Sequence, residues 1–377
     1  MSPYKWGIGL DRSETSRALG GDTAVASGNA LPVPHIHSAG RRVGRVAWKT
    51  VAVLLFILVP LACIFGSLFL GRYHMTFSQV VGALFPFAHI SVPKQVSTLV
   101  VQVRLPRALA AACVGASLSA SGVAFQGVFR SPLVNPELLG VSSGSGFGAA
   151  FAIVVLGGGF AIYPLAFATG MFAVFMSYWV ARVYKKTPAI MLILGGVIVS
   201  SVFSALVGLM KYVADPETQL PSIVYWLMGS LSAVSFEQFW ALIPMGLGVL
   251  VLLASSWRID VLSMGDKEAR SLGVNANAYR GTIVAGATLA TAGAVCISGV
   301  VGWVGLVIPH IGRMIVGSSN RRLMPASISI GASFLVIVDT MARGLWASEV
   351  PLGILTALIG APFFVYLLKK TKGGDWR

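Results

Sequence analysis

Charged residues are scarce in this sequence of 377 residues. Only 11% of the positions are Asp, Glu, Lys or Arg, whereas 56% are hydrophobic, and the mean hydropathy is +0.81. A soluble domain could not cover its surface with so few charges. The composition therefore excludes an ordinary soluble protein and predicts an integral membrane protein.

Cysteines and catalytic motifs are equally sparse. Cys63, Cys113 and Cys296 lie in apolar runs, at spacings typical of neither a disulfide framework nor a zinc site, and we interpret them as packing residues. The sequence contains no G-x-x-x-x-G-K-[ST] phosphate loop, no H-E-x-x-H pair and no G-x-S-x-G elbow. Enzyme chemistry is therefore not indicated, and if ATP drives this protein, another chain hydrolyses it.

Long apolar runs are abundant. A helix needs about 20 such residues to cross about 30 Å of hydrocarbon, and runs of this length recur from residue 50 onwards. We predict ten helical spans, near residues 50–70, 105–127, 137–157, 161–183, 190–212, 236–255, 279–298, 301–317, 326–344 and 352–369. Two further stretches, 76–85 and 222–231, are predicted to be helical but too short to span.

The basic residues indicate how these spans are oriented. The net charge is +15, but the basic residues form no stripe interleaved with aromatic residues, so nucleic acid is not an expected partner. If both termini lie inside, 22 of the 28 Lys and Arg residues fall in cytoplasmic segments and six fall in outer segments. Cytoplasmic loops carry such an excess of positive charge, so both termini are predicted to be cytoplasmic.

The first 47 residues differ from the rest of the chain. They are rich in small, polar and turn-forming residues and lack an apolar stripe, which predicts a cytoplasmic tail with little order, followed by a transmembrane domain over residues 48–377. His35 and His37 form an H-x-H pair in this tail. We interpret the pair as incidental rather than as a metal site.

Charges at the outer ends of the spans allow two interpretations. Arg104 and Arg107 flank Pro106 where a helix enters the membrane, and Arg343 lies at another predicted span mouth. Such arginines either extend to lipid headgroups or face an acidic partner. Asp339 lies four residues before Arg343, the helical spacing of an ion pair, and is the one acidic residue well within a predicted span. A secondary transporter or channel working without an ATPase would need such a carboxylate.

A second charged segment lies on the cytoplasmic side. The sequence MGDKEARSLGV covers residues 264–274, within a connection over about residues 258–278 that is long for a simple turn. We predict two brief helices bent at Gly273, which would present Met264, Leu272 and Val274 among charges. The pattern is consistent with a docking surface and equally with a solvated loop.

Four separated segments resemble the permease subunits of type II ATP-binding-cassette importers, the FecCD-like family that takes up ferric siderophores, haem and cobalamin. In the family's order they are RLPRALAAACVGASLSASGVAFQGVFRSPLVNPELLGVSSGSGFGA, LSMGDKEARSLGV, GVVGWVGLVIPHIGRMIVG and VDTMARGLWASEVPLGILTALIGAPFF. The resemblance runs from about residue 50 to residue 370. It implies an all-α membrane protein with about ten transmembrane helices per subunit and short broken or interfacial helices.

The resemblance also implies partners. A second copy of the chain would complete a homodimer around a central pathway, two ATPase subunits would bind ATP and Mg on the cytoplasmic side, and a periplasmic protein would deliver the cargo. No cofactor is expected on this chain. The implied location is the bacterial inner membrane, and the implied cargo is an iron complex, a ferric siderophore or haem ahead of cobalamin.

Roles for individual residues follow only from this resemblance. Arg104, Arg107 and Arg343 match the family's arginines that meet acidic residues of the binding protein. The family's cytoplasmic coupling helices, which insert into the ATPase, match Met264, Gly265, Asp266, Lys267, Glu268, Ala269, Arg270, Ser271, Leu272, Gly273 and Val274. The inner gate matches Ser131, Pro132, Leu133, Thr187, Pro188, Ala189 and Ile190. Family members commonly have Asn where this chain has Ser131, so the polar contact at that position is in question.

Overall fold

Every regular element that the structure describes is a helix. The structure is a computed structural model, and it describes residues 56–71, 73–85, 92–182, 189–344 and 348–370. The predicted tail lies outside these residues. The helices are α1 Phe56–Ser67, α2 Phe77–Leu84, α3 Lys94–Phe129, α4 Val141–Val155, α5 Gly159–Ala181, α6 Ala189–Val213, α7 Gln219–Met228, α8 Phe236–Met264, α9 Asp266–Ser271, α10 Ala276–Ser298, α11 Val304–Val316, α12 Asn320–Gly344 and α13 Leu352–Lys370.

The predicted spans correspond to helices in the structure. Among the described residues, six helices are long and apolar enough to cross a membrane: α3, α5, α6, α8, α10 and α12. The four remaining predicted spans correspond to shorter apolar helices, α1, α4, α11 and α13. The all-α membrane fold is confirmed. Short helices also form within both stretches that were predicted to be helical without spanning, as α2 and α7.

Helix α3 is the central element of the fold. Its residues from Leu105 to Phe129 are buried on nearly every side, against α8, α10, α11 and α12. Glycine permits this close packing at two points. A Cβ on Gly115 would overlap the carbonyl oxygen of Gly331 in α12, and a Cβ on Gly122 would overlap the carbonyl oxygen of Gly305 in α11. Any larger residue at either glycine would force the helices apart.

The chain between α3 and α4 returns towards the middle of α3. A Cβ on Gly305 would lie 3.1 Å from the carbonyl oxygen of Leu118, near the midpoint of the Leu105–Phe129 part of α3, and 3.3 Å from Cδ of Pro136. Pro136 therefore lies beside the middle of α3 although α3 ends at Phe129. This explains why α4 has only 15 residues, about 22 Å of helix against about 30 Å of hydrocarbon. Part of the depth is covered by non-helical chain, which protein contacts must shield from lipid.

Candidate functional site

The cytoplasmic charged segment forms one short helix, α9, between two glycine breaks. Gly265 has a φ of 137° and separates α9 from α8, while Gly273 has a φ of 74° and ends the turn that follows α9. Both values favour glycine. The side chain of Asn275 then accepts a hydrogen bond from the backbone N–H of Ala278 and caps α10. The second of the two predicted brief helices is therefore the first turn of the long helix α10.

Apolar and charged side chains of this segment project outwards. Met264 is 63% exposed and Leu272 is 59% exposed, and Lys267, Glu268 and Arg270 are exposed around them. The prediction that Val274 is also presented is wrong. Val274 is buried in the hydrophobic core together with Ala269, because the turn at Gly273 directs the chain back under α9.

Polar contacts attach this segment to the membrane helices. The Asp266 carboxylate at the start of α9 accepts a hydrogen bond of 2.7 Å from Nη2 of the buried Arg280 in α10. Near the end of α8, the Asp260 carboxylate accepts bonds of 2.6 Å from the backbone N–H and 2.9 Å from Nδ2 of Asn320, at the start of α12. A force applied to α9 is therefore transmitted to α10 through an ion pair, and α8 is tied to α12.

The end of α3 reaches the same region. Arg130 adopts a left-handed backbone conformation, with a φ of 53° and a ψ of 37°. A Cβ on Gly265 would lie 3.6 Å from Nη1 of Arg130, so the guanidinium lies beside the first turn of α9. Ser131 follows directly. The predicted inner gate and the coupling segment thus meet at Arg130.

The remaining gate residues are placed as follows. Leu133 and Ile190 are exposed, and Ser131 Oγ accepts a bond of 3.4 Å from the backbone N–H of Leu133, so the polar contact of Ser131 is local. Pro132 lies between Ser131 and Leu133 in the non-helical turn after α3. Ala189 begins α6. Thr187 and Pro188 lie outside the described residues.

The three outer arginines are buried. Arg104, Arg107 and Arg343 are 4–7% exposed, so little of each side chain reaches the surface of the subunit, and their docking role stays a prediction. Arg104 donates to the carbonyl oxygens of Leu68 at 2.6 Å and of Tyr73 at 2.7 Å. Burial follows from a π-helical segment, Leu99–Arg104, that changes the helical register just before Pro106.

Two carboxylates compensate two of the three positive charges in this arginine cluster. Asp339, 1% exposed, accepts from Nε of Arg107 at 2.9 and 3.1 Å and lies 3.3 Å from Nε of Arg343, which confirms the predicted i, i+4 pair. Glu349 accepts from Nη1 of Arg107 at 2.9 and 3.0 Å. A cavity of about 190 Å³ opens beside the cluster, lined by Arg104, Arg107, Arg343 and Glu349 among others.

Sequence reasoning did not identify a larger cavity of about 730 Å³ beside α7. Its described lining is rich in hydroxyl groups and contains no charged side chain. The Tyr225 hydroxyl lies 3.0 Å from Oγ of Ser230 and 3.1 Å from Oγ of Ser232. The available signal was the presence of serines on both sides of the adjacent Tyr225 and Trp226. Within the described residues, no three His, Cys, Asp or Glu side chains come together as a metal site.

Comparisons with known proteins agree with this architecture. The model of the FecCD transport family matches residues 54–370. The chain is 42% identical over 313 residues to the molybdate import system permease protein MolB of Haemophilus influenzae, covering 82% of this chain and 92% of MolB. It is 40% identical over 288 residues to an iron chelatin transport system permease protein of Helicobacter pylori, covering 76% of this chain and 87% of that protein.

A solved structure has the same fold. It is described as an inward-facing conformation of a metal-chelate type ABC transporter, with a TM-score of 0.76 and 39% sequence identity, and the match covers 85% of this chain and 99% of the other. The helical architecture, the family match over residues 54–370 and the identity to transport permeases all agree. The chain therefore belongs to the FecCD transport family and is a multi-pass permease subunit of an ATP-binding-cassette importer.

Proposed function

We propose that this subunit imports an iron complex, a ferric siderophore or haem ahead of cobalamin, by alternating access between the two faces of the bacterial inner membrane. Two copies form the pathway, two ATPase subunits bind ATP and Mg below it, and a periplasmic binding protein delivers the cargo from above. Both termini are cytoplasmic. The observation that carries the proposal is α9, which presents Met264 and Leu272 to a partner while Asp266 is bonded to α10.

The position of α9 supports a coupling role. Closure of the ATPases would displace α9, and the Asp266–Arg280 pair and the guanidinium of Arg130 would pass that displacement to α10 and to the gate at Ser131–Leu133. Such rigid-body movement of packed helices is a common basis of switching. Arg270 and Leu272, on the exposed side, are the residues that we expect to contact the ATPase.

The cavity beside α7 supports a large cargo. Its hydroxyl and aromatic lining has no fixed charge to hold a ligand tightly, which suits a chelate that passes without being trapped. Selectivity would then reside mainly in the binding protein. One relative is named for molybdate and another for an iron chelatin. The preference for an iron complex over an oxyanion is therefore part of the proposal.

The arginine cluster supports docking of an acidic partner. Arg104 has only backbone carbonyls as hydrogen-bond acceptors among the described residues, and the adjacent 190 Å³ cavity has room for a carboxylate. Glu349, whose side chain is 31% exposed, forms an ion pair with Arg107 and would compete with a carboxylate of the partner. Glu349→Gln should therefore strengthen binding of the binding protein at low salt, whereas Arg104→Gln should weaken it. Unchanged affinity in both variants would contradict this role.

The competing function is an ion-coupled transporter that needs no ATPase. It would rely on Asp339, which is already engaged by Arg107 and Arg343. Proteoliposomes separate the two functions. Uptake of a ferric chelate should require both ATP and the ATPase subunits, and uptake without them would overturn the proposal.

A variant pair tests the coupling segment in the same vesicles. Leu272→Ala should lower uptake per ATP hydrolysed by about tenfold, because it removes the exposed apolar contact. Leu250→Ala, at an exposed apolar position in the middle of α8, is the matched control and should transport normally. Normal coupling in Leu272→Ala would contradict the role assigned to α9.

A further inference from the structure

A second acidic side chain lies at membrane depth, in the non-helical chain between α3 and α4. Glu137 belongs to the short 3-10 turn Pro136–Leu139, beside the middle of α3. A Cβ on Gly302 would lie 3.7 Å from Oε1 of Glu137, so the carboxylate faces the connection between α10 and α11. The residue therefore lies beside the middle of α3, where it is partly buried, rather than at the end of a span.

In the part of the chain that the structure describes, Glu137 has no cationic partner. The ion pairs there involve Asp266, Asp339 and Glu349 but not Glu137. Within the same residues, Glu137 accepts a side-chain hydrogen bond of 3.3 Å from Nδ2 of Asn135. An ionised carboxylate at this depth is costly unless a positive charge compensates it.

Two hydroxyl groups without a hydrogen-bond partner among the described residues lie at the same point. Thr291 of α10 is 1% exposed, and its Oγ1 has no partner within those residues. Oγ of Ser142, in the first turn of α4, is likewise buried with no partner there. Together with Asn135 and Glu137, both residues line a small cavity of about 10 Å³. Such a volume is close to the minimum for a single water-sized occupant.

The chemistry of the lining distinguishes between occupants. A water molecule would satisfy the hydroxyls but leave the carboxylate uncompensated. A carboxylate, an amide oxygen and two hydroxyls are hard oxygen donors, which suit a small metal cation, and the single negative charge matches a monovalent one. Non-helical chain at mid-depth supplies such sodium sites in other transport proteins. We propose that Glu137, Asn135, Ser142 and Thr291 bind one Na⁺.

This site goes beyond the import function proposed above. A cation held there connects the chain between α3 and α4 with α10, the helix to which α9 is bonded. Its occupancy therefore stabilises one arrangement of these elements. The proposal concerns binding and stability, so it stands or fails independently of which cargo is carried.

Thermal unfolding of the purified full-length protein in detergent tests the site. NaCl is titrated against choline chloride at constant ionic strength and pH 7. The wild type should show a saturable rise in Tm with Na⁺, Glu137→Gln should abolish the rise, and Thr291→Val should weaken the apparent affinity for Na⁺. Glu237→Gln, at an exposed acidic position, is the matched control and should keep the full response.

The outcomes are decisive in either direction. If Glu137→Gln does not fold, the affinity shift in Thr291→Val and in Ser142→Ala carries the test. An identical Na⁺ response in all of these variants would overturn the proposal. Absence of a Na⁺ response in the wild type, with stability rising as the pH falls, would also overturn it and would assign a proton to Glu137 instead.

Discussion

Replacing Asp339 by Asn should destabilise the subunit more than replacing Glu349 by Gln in the same outer ion cluster. Asn preserves the volume of the side chain but removes the charge that Arg107 and Arg343 share. The cluster then changes from three arginines with two carboxylates to three arginines with one. Both arginines remain largely buried, and water in the adjacent cavity does not replace the lost negative charge.

The size of the effect follows from burial. Removing one partner of a buried ion pair costs about 3–5 kcal/mol. Arg107 keeps its two bonds to Glu349, so we expect the lower end of the range, about 3 kcal/mol. At about 2 °C per kcal/mol for a large domain, Tm should fall by about 6 °C.

Tryptophan fluorescence during heating in detergent measures this change. Glu349→Gln is the control, because its side chain is 31% exposed and partly exposed pairs contribute about 1 kcal/mol or less. Its Tm should fall by no more than about 2 °C. A Tm of Asp339→Asn within about 1 °C of the wild type, or a larger loss in Glu349→Gln, would refute the reasoning.

Three further predictions concern other parts of the chain. Gly122→Ala should reduce the yield of folded protein, because its Cβ would overlap the Gly305 carbonyl, whereas Gly208→Ala, where nothing lies within 4 Å, should be tolerated; gel filtration distinguishes them. Arg130→Gly keeps the left-handed backbone but removes the guanidinium, so uptake per ATP should fall while Tm does not; normal coupling would contradict this. Hydrogen bonds from Thr218 hold the pKa of Asp215 below its usual value. The start of α7 should therefore stay ordered at pH values above the usual pKa of aspartate and loosen as the pH falls through the lowered pKa. This loosening should appear as a lower protection factor of the Thr218 amide, corrected for the intrinsic exchange rate at each pH, and Asp215→Asn should show the lower protection at every pH.

Hydropathy predicted the positions of the membrane spans well but the ends of the helices less well. Helix α8 was predicted to end near residue 255, where charges begin, but it continues to Met264. Its charges are accommodated by partners far along the chain: Arg258 lies 4.5 Å above the ring of Tyr279, and Asp260 binds Asn320. An apolar run ends at its first charge, whereas a helix continues while tertiary contacts support it.

The site residues show the same difference. The Asp339–Arg343 pair was predictable because both lie on one helix, but the burial of Arg107 depends on Glu349 and on the π-helical segment of α3. Glu137 was assigned to a span end because hydropathy gives no depth for chain that re-enters without forming a helix. The burial of Arg107 and the depth of Glu137 both depend on contacts between residues far apart in the sequence, which a local sequence pattern does not reveal.

The glycine contacts along α3 limit how the transporter can move. Gly115 packs against Gly331 and Gly122 packs against Gly305 with no room for a Cβ, so the backbones of α12 and α11 lie in close contact with that of α3. We therefore expect these three helices to travel as one block. The relative displacement that opens and closes a pathway has to occur at the margins of this block, and distance labels placed within it should report no change during the transport cycle.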